Sequence, residues 1–139
     1  MNDTCLFCKI IKGEIPCFKI YEDEKVFSFL DINPINSGHV LVVPKKHCQN
    51  LLDASADDLS AIINVVPKIA KAVMSALDYP AFNLGVNNGS EAGQLVNHLH
   101  FHVMPRRTGD GHQLFKGHEM SKNELEQVVN KIKIKIANN

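Results

Sequence analysis

The chain has 139 residues, enough for one domain to bury a hydrophobic core without the help of disulfides. Its 15 basic and 15 acidic residues cancel, which argues against a general nucleic-acid or anionic-membrane binder because both need a dense positive field. The N-terminus has no basic segment leading into an apolar stretch, and no apolar run reaches the roughly 18 residues of a membrane span. We therefore expect a soluble, cytoplasmic protein, whose cysteines at positions 5, 8, 17 and 48 are too few and too irregular for a secreted disulfide framework.

The first half of the chain predicts a helical turn, three strands and a long helix. The helical turn ends at Gly13, and the strands cover residues 18–22, 25–30 and 39–43. Ser55 can cap the long helix, with Asp58 three residues on, and an apolar stripe of 3.6-residue period follows. The stripe consists of Leu59, Ile62, Ile63, Val66, Ile69, Ala70, Val73 and Leu77. Pro67 lacks the amide that would bond to a carbonyl one turn earlier, so we expect a kink there.

The second half predicts two strands and a C-terminal helix. The strands cover residues 81–87 and 95–104, and a polar, glycine-containing loop at 88–93 separates them. Ser121 and Glu124 form a capping-box signal before the helix. The apolar positions of this helix are Leu125, Val128, Val129, Ile132 and Ile136, although the alternating Lys-Ile ending also fits a strand. Because no repeat, linker or low-complexity tract divides the chain, residues 1–139 are expected to form a single domain.

Three histidines stand at every second position in the last predicted strand: His98, His100 and His102. In an extended strand alternate side chains face the same side, so the imidazoles are predicted to form one row while the apolar residues between them point towards a core. At about 3.3 Å of rise per residue, the first and last of these histidines lie roughly 13 Å apart at the backbone. That distance is too long for all three rings to converge easily on one ion, so the row is expected to serve more than one purpose.

Cys5 and Cys8 form a Cys-x-x-Cys pair with three possible explanations: a redox pair, half of a zinc site, or two buried thiols. A zinc site needs two more ligands. His47 and His98 both lie at ends of predicted strands, where side chains from different strands can meet. A Cys2His2 site built from these four residues would be closed, and therefore structural rather than catalytic. The alternative for His47 is a solvated surface histidine.

His100 and His102 then remain for chemistry. An imidazole with a pKa of about 6.5 is largely neutral at pH 7, so it can attack an electrophile as well as move protons. Two such rings on one face allow one to attack while the other binds the charged group under attack. The loop at residues 87–94 offers amide side chains and glycine backbone to an anion, although by itself it would be an ordinary turn. Asp31 is a candidate acceptor for ribose hydroxyls or, equally, a loop cap.

Residues 93–106, GQLVNHLHFHVMPR, resemble the signature of the histidine triad, or HIT, family, which is His-x-His-x-His followed by two apolar residues. Residues 29–34 and 38–47 resemble its upstream blocks, so the similarity covers residues 5–110, and the cysteine pair resembles that of zinc-binding bacterial members. The resemblance implies an α+β fold: a five-stranded antiparallel sheet with one long kinked helix and a C-terminal helix, in a homodimer. Residues 1–17 would be a zinc-pinned N-terminal segment and residues 107–139 a C-terminal extension.

The resemblance also implies roles for individual residues. The middle histidine, here His100, would attack the α-phosphorus of a nucleotide and form a nucleotidyl-histidine intermediate that water resolves. His102 would bind the phosphate and His39 would help to orient the nucleophile. Asp31 and Ile32 would hold the nucleoside, and the phosphate pocket would be lined by Asn87, Gly93 and Gln94. His98 closes the triad and, in zinc-containing relatives, coordinates a structural Zn²⁺ with Cys5, Cys8 and His47; no catalytic metal is implied. Leu95 departs from some phosphoramidase relatives, which carry a hydroxyl residue there.

The leading hypothesis is a nucleotide hydrolase that acts at the α-phosphate of purine nucleoside phosphoramidates or related nucleotides. The nearest alternative is a dinucleoside polyphosphate hydrolase of the diadenosine tetraphosphate type, since residues 106–112 resemble the segment after the triad in that branch. A nucleotidyl transferase is disfavoured, because that branch typically replaces the third histidine and His102 is present. Two other classes remain: a non-catalytic nucleotide-binding module, and a zinc hydrolase that uses the histidine row as ligands.

Overall fold

The computed structural model describes residues 2–138 and contains one five-stranded antiparallel sheet, with strand order β1-β2-β3-β5-β4. The helices are α1 (Leu6–Ile11), α2 (Ala56–Leu77) and α3 (Lys122–Ala137). The strands are β1 (Lys19–Glu22), β2 (Val26–Leu30), β3 (Val40–Pro44), β4 (Ala81–Val86) and β5 (Phe101–Arg106). This architecture confirms the predicted α+β fold with one long helix and a C-terminal helix.

Helix α2 covers one face of the sheet. The Ser55 hydroxyl accepts a hydrogen bond from the Asp58 amide at 3.1 Å, which begins the helix as predicted. The buried side chains of α2 pack against those of the strands in one core: Ile62, Val65, Val66, Ile69, Ala70 and Val73 against Val26, Val40, Val42, Leu99, Phe101 and Val103. Ile63 and Leu77 of the predicted stripe are exposed instead. The helix continues through Pro67 as one element, and the kink there stays a prediction.

Helix α2 also has the length and apolar content of a membrane span, with 22 residues and a mean hydropathy of 1.4 in its most apolar window. The helix is nevertheless not an uninterrupted apolar run, because Asn64, Lys68 and Lys71 lie within it. Several of the residues responsible, such as Ile62 and Ile69, are buried against the sheet. A helix that supplies the core of a globular domain reaches the same hydropathy, because its core-facing stripe is apolar and its remaining face carries few charges.

The opposite face of the sheet carries the short helix α1 and a second apolar cluster. Side chains alternate along β2 and β3, so Phe27, Phe29, Leu41 and Val43 face away from α2 and pack with α1. Phe7 of α1 meets Phe29 edge to face, with ring centroids 5.3 Å apart. This second face is where the histidines lie.

The strand predicted at residues 95–104 is displaced in the structure. Strand β5 begins only at Phe101, which pairs with Val86 at the end of β4, so His98 and His100 precede the strand. The residues before Phe101 have no ladder partner; the Leu99 amide donates instead to the Cys48 carbonyl at 2.8 Å. The predicted alternation of side chains nevertheless holds: Leu99 and Val103 are fully buried towards α2, and the histidines face the other way. Extended backbone produces that alternation with or without strand pairing.

The C-terminal helix α3 begins with the predicted capping box between Ser121 and Glu124. Every residue of α3 is exposed, including its apolar positions, so this helix packs against no other part of the described chain. The segment that leaves β5 is tied down more firmly, because the Asp110 carboxylate accepts hydrogen bonds from Arg106 at 2.7 Å and from Asn36 at 3.0 Å.

Candidate active site and metal centre

The rings of His100 and His102 lie side by side on the sheet face opposite α2, with centroids 4.9 Å apart. His100 is 7% exposed and packs edge to face against Phe7 of α1, at 5.2 Å between centroids. His102 is in contact with His39, which directly precedes the neighbouring strand β3, at 5.1 Å between centroids. The structure thus brings together three of the four histidines predicted to be catalytic, and it places His39 against His102 rather than against His100.

The hydrogen bonds fix which nitrogen of His100 carries the proton. Its Nδ1 lies 2.7 Å from the carbonyl oxygen of His98, and a carbonyl can only accept, so Nδ1–H is the donor. In the neutral ring Nε2 is then unprotonated and holds a lone pair. Nε2 is therefore the atom of His100 that can attack an electrophile.

A chain of hydrogen bonds sets the tautomer of His102 in the same way. The Ile35 amide donates to Nδ1 of His39 at 3.2 Å, so neutral His39 must carry its proton on Nε2. That Nε2–H lies 2.9 Å from Nδ1 of His102 and donates to it. Neutral His102 consequently carries its proton on Nε2, a buried nitrogen that has no hydrogen-bond partner within the described chain. His100 and His102 thus form a complementary pair, one with a free lone pair and one with a free N–H.

Burial keeps these rings neutral. Desolvation lowers the pKa of His100 and of His39. The hydrogen bond from His100 to the His98 carbonyl and the charge of Asp31 oppose this for His100, and Asp31 opposes it for His39, in both cases only partly. For His102, burial together with the neighbouring His100 and His39 rings lowers the pKa to about 4. The neutral forms on which the tautomers above depend are therefore the forms present at pH 7.

A cavity of about 440 Å³ opens over His100 and His102. That volume is in the range of small-molecule sites. Its far wall is apolar and consists of Leu6, Phe7, Ile10, Ile15, Phe29 and Leu41. Asp31, Asn87 and the two histidines are polar residues of its lining, and no lysine or arginine of the described residues lines it. Such a cavity suits a flat, apolar ring joined to a polar group that reaches the histidines.

Asp31 and Ile32 lie at the mouth of this cavity, as the predicted nucleoside contacts would require. One carboxylate oxygen of Asp31 accepts the Asn33 amide at 2.8 Å and so caps the loop. The other oxygen, Oδ2, is 3.7 Å from Nε2 of His39, too far for a hydrogen bond. The two explanations for Asp31 are thus compatible, because Oδ1 holds the loop and Oδ2 can accept from a ligand. Ile32 is 78% exposed beside it.

Of the predicted phosphate-pocket residues, Asn87 and Gly93 line the cavity, whereas Gln94 does not. The Gln94 side chain is buried and occupied elsewhere: its amide donates to the Gln49 and Val96 carbonyls, and its oxygen accepts the Gly89 amide at 2.9 Å. Gln94 therefore holds the loop in shape. Gly93 has φ +88°, a left-handed backbone conformation that favours glycine.

Cys5, Cys8, His47 and His98 form a compact cluster with their ligand atoms facing one another. Nδ1 of His98 is 3.4 Å from the Cys5 sulfur and 3.6 Å from the Cys8 sulfur. Nδ1 of His47 is 3.5 Å from the Cys8 sulfur and 3.3 Å from Nδ1 of His98. A tetrahedral zinc ion, with Zn–S of about 2.3 Å and Zn–N of about 2.05 Å, requires S···N separations of about 3.5 Å and N···N separations of about 3.3 Å. The four separations given above match these values, and all four donor atoms lie within 4.8 Å of one another.

The surroundings of His98 prepare it to bind a metal. Its Nε2 lies 2.8 Å from the Pro44 carbonyl and must donate to it, which leaves a lone pair on Nδ1, the atom that faces the cysteines. Cys5 is also the N-cap of α1, where its sulfur accepts the Cys8 amide at 3.5 Å. His47 is partly exposed but belongs to the cluster, so it is not a free surface histidine.

A second group of possible ligands, Asp31, His39 and His102, fits a metal poorly. The two ring nitrogens that face each other, Nε2 of His39 and Nδ1 of His102, are 2.9 Å apart and share one proton in a hydrogen bond. The Ile35 amide occupies the other nitrogen of His39, so moving that proton away would put two hydrogens face to face. The hydrogen bonds from the Ile35 amide to His39 and from His39 to His102 therefore exclude a metal at the same place, and the observed distances favour the hydrogen bonds.

Comparison with known proteins agrees with the geometry. The family model "HIT domain" matches residues 12–109. An uncharacterized HIT-like protein of Methanocaldococcus jannaschii is 48% identical over 129 residues, which cover 93% of this chain and 98% of that protein. The chain belongs to the HIT family. A HIT relative from Candida albicans, 42% identical over 144 residues and covering 91% of this chain and 95% of the relative, is an adenosine 5′-monophosphoramidase.

A solved HIT structure also bears on the metal. The zinc-bound histidine triad protein from Mycobacterium smegmatis is 34% identical, with a TM-score of 0.75 over 97% of this chain and 96% of that chain. Membership of the HIT family makes nucleotide binding and hydrolysis the general function of the present chain, and the Cys2His2 cluster makes it a HIT protein that could hold a metal.

Sequence reasoning missed two features of this HIT site. One is the contact between His39 and His102, which joins side chains 63 positions apart. The other is the group formed by Asn36, Arg106, Asp110 and His112, where Asp110 receives five hydrogen bonds from three side-chain and two backbone donors. Residues 106–112, Arg-Arg-Thr-Gly-Asp-Gly-His, follow His102 and could have drawn attention to this group. Nothing in that segment, however, indicates which loop its side chains contact.

Proposed function

We propose that the protein hydrolyses purine nucleoside 5′-phosphoramidates, or closely related nucleotides, through a covalent intermediate on His100. The observation that supports this most strongly is the complementary pair: a lone pair on Nε2 of His100 and a free N–H on Nε2 of His102, two residues that line the same cavity. A nucleophile beside a hydrogen-bond donor is what displacement at an anionic phosphorus requires.

In the first step Nε2 of His100 attacks the α-phosphorus, and the bond from phosphorus to the leaving amine breaks. The electron pair of that bond goes to the amine, which takes a proton from solvent and leaves. His100 becomes a positively charged nucleotidyl-imidazolium, and the His98 carbonyl, 2.7 Å from its Nδ1, stabilises the new charge. In the second step water attacks phosphorus and releases a proton to solvent. The P–N bond to His100 breaks, and its electron pair returns to Nε2, so the ring becomes neutral again.

His102 contributes a hydrogen bond rather than a bond to phosphorus. Its Nε2–H has no partner within the described chain, so a non-bridging phosphoryl oxygen can accept from it without displacing a protein contact. The negative charge on the phosphoryl group is spread over these oxygens in the transition state, where a fixed donor gains most.

The cavity accounts for the nucleoside part of the proposal. The apolar wall formed by Phe7, Phe29 and Leu41 suits a purine ring, and Oδ2 of Asp31 can accept from a ribose hydroxyl. The activity of the Candida albicans relative, an adenosine 5′-monophosphoramidase, is in keeping with this substrate class.

The composition of the cavity disfavours the polyphosphate alternative. When a dinucleoside polyphosphate is attacked at its α-phosphorus, the leaving group is a nucleotide with several negative charges, which cationic side chains would have to stabilise. Arg106 is paired with Asp110 at 2.7 Å, and the Arg107 guanidinium stacks on Tyr79 at 4.3 Å. Neither arginine lines the cavity, so the basic run that resembled the polyphosphate branch has other contacts.

We also propose that Cys5, Cys8, His47 and His98 hold a structural Zn²⁺. A closed four-ligand site supplies folding free energy, because the metal joins α1 to the segments that follow β3 and precede β5. No step of the proposed reaction passes through this ion.

A homodimer is the expected assembly. β4 is an edge strand of the sheet, and its Phe82 and Leu84 are exposed, as are Ile63 and Leu77 of α2. An exposed apolar edge strand is a usual place for a second copy to pair. Sedimentation equilibrium of the wild-type chain and of Leu84→Lys tests this assembly: a dimer for the first and a monomer for the second are expected, and a monomeric wild type would contradict it.

The substrate assignment is tested by comparing kcat/KM for adenosine 5′-phosphoramidate and for diadenosine tetraphosphate on the same zinc-loaded preparation. The proposal expects the phosphoramidate to be preferred by at least about tenfold, which is about 1.4 kcal/mol of transition-state binding. A preference for the tetraphosphate would overturn it, and tight AMP binding without turnover of either compound would indicate a binding module.

A further inference from the structure

The tautomer of His102 depends on a backbone group that the loop between β2 and β3 must hold in place. The Ile35 amide donates to Nδ1 of His39, and this contact decides that the His39 proton sits on Nε2 and points at His102. If the Ile35 amide moved away, the His39 proton could occupy either nitrogen. Without a donor facing its Nδ1, neutral His102 could carry its proton on either nitrogen.

The loop that carries Ile35 is held from outside by the segment that follows β5. Nε2–H of His112 donates to the Ile35 carbonyl at 2.7 Å, which fixes the peptide next to the one that serves His39. The Asn36 side chain donates to the Pro105 carbonyl at 2.8 Å and to the Asp110 carboxylate at 3.0 Å. Two consecutive loop residues are thus tied to residues about 70 positions later in the chain.

His112 is itself clamped, although its side chain is exposed. Its amide donates to Asp110 at 3.1 Å, and its carbonyl accepts from Nη2 of Arg106 at 2.9 Å. Arg106 and Asp110 are joined by two hydrogen bonds, at 2.7 and 3.1 Å, in the bidentate geometry that orders both partners. The backbone of His112 is therefore held by hydrogen bonds at its amide and its carbonyl, and its ring is bonded to a distant loop, so its position is fixed although it is exposed.

We propose that His112 is a positioning residue for catalysis, which holds the Ile35 loop so that the His39–His102 hydrogen-bond chain presents Nε2–H of His102 to the substrate. The connected donors run in one direction, from His112 to the Ile35 carbonyl and, one peptide earlier, from the Ile35 amide through His39 to His102. The expected effect on kcat rests on the proposed function, whereas the expected effect on the His102 tautomer does not. His112 lies beyond residues 12–109, the part of the chain that the family model matches.

Three variants test this role on the zinc-loaded protein. His112→Leu removes the donor, His112→Gln keeps an N–H near the position of Nε2, and His118→Leu changes an exposed histidine of the same tail as a matched control. For His112→Leu we expect kcat on adenosine 5′-phosphoramidate to fall about tenfold while KM changes less than about twofold. We expect His112→Gln to stay within about twofold of the wild type, as His118→Leu should.

A second measurement does not depend on turnover. Long-range ¹H–¹⁵N spectra of the histidine rings, recorded without substrate at pH 7, report which nitrogen of His102 and of His39 is protonated. We expect a single tautomer in the wild type and in His112→Gln, and a mixture in His112→Leu. Unaltered spectra and kcat in His112→Leu would overturn the proposal, as would a loss of kcat in that variant accompanied by unfolding in circular dichroism. An inactive wild type with the expected spectral change would refute the proposed function but not the positioning role.

Discussion

His98 faces the cysteine pair with its side chain while its carbonyl oxygen accepts the Nδ1–H of His100 at 2.7 Å. One residue therefore belongs to two sites, through Nδ1 to the candidate metal cluster and through its backbone to His100, the proposed nucleophile. The alternation of histidines makes this possible, because His98 and His100 face the same side of an extended segment. The first histidine of the row is placed to fix the tautomer of the second.

Loss of the metal should cost stability rather than the chemical mechanism. With free zinc at about 100 to 1,000 times its Kd, binding to the native state alone adds about 3 to 4 kcal/mol to the free energy of unfolding. Cys8→Ser should abolish zinc binding and lower the unfolding midpoint in urea, whereas Cys17→Ser should retain both the metal and the stability, since Cys17 is outside the cluster.

After chelation of the wild type, the fraction that stays folded should still turn over substrate. Zinc content by atomic absorption, the urea midpoint and kcat per folded molecule are the quantities to compare. A complete loss of kcat with the fold intact would show that the ion takes part in catalysis and would contradict a purely structural role.

Removal of the His102 donor should act on the transition state. We expect His102→Ala to lower kcat by about 10²- to 10³-fold, the usual cost of one preorganised donor at a developing negative charge. His102→Gln keeps an N–H near the position of Nε2 and should recover part of that loss. Steady-state kinetics distinguish this from ground-state binding: an effect of His102→Ala on KM alone would contradict the proposed role.

Stability should fall with acid in a way that depends on His102. Its pKa is about 4 in the folded protein against an ordinary value of 6.5, so the unfolded chain takes up the proton first as the pH falls. The contribution of neutral His102 to the free energy of unfolding is therefore complete above pH 6.5 and is lost as the pH falls from 6.5 to about 4. At pH 5 the loss should be about 1–2 kcal/mol.

The comparison that isolates this effect is the wild type against His102→Asn, each unfolded in urea at pH 7 and at pH 5. Acid-labile metal ligands are the same in both proteins and cancel in the difference. The wild type should lose more stability than His102→Asn; equal losses would mean that the folded protein does not keep His102 neutral.

The local features of this site could be predicted from the sequence. The four candidate metal ligands could be chosen because zinc accepts few residue types, and the structure brings their donor atoms within 4.8 Å of one another. The alternation from His98 to His102 predicted which side chains share a face, since that depends only on extended backbone. The capping residues Ser55 and Ser121 predicted helix starts for an equally local reason.

What the sequence could not supply depends on contacts between distant segments. The start of β5 at Phe101 is set by where β4 ends, because a strand needs a paired neighbour. The family resemblance placed Gln94 in the phosphate pocket, yet its three hydrogen bonds in the structure all hold the loop. The bonds from His39 to His102 and from His112 to Ile35 span 63 and 77 positions, and no periodicity or spacing encodes them.

The proposed mechanism requires that Nε2 of His100 becomes bonded to phosphorus during turnover. The most direct measurement mixes the zinc-loaded protein with adenosine 5′-phosphoramidate, quenches within one turnover under alkaline denaturing conditions that preserve P–N bonds, and determines the intact mass and the modified residue. We expect a transient gain of one adenylyl group located on His100, with none on His100→Ala, which should still bind AMP but lose at least about 10⁴-fold in kcat. Turnover by His100→Ala at the wild-type rate, or an adduct on another residue, would contradict this mechanism.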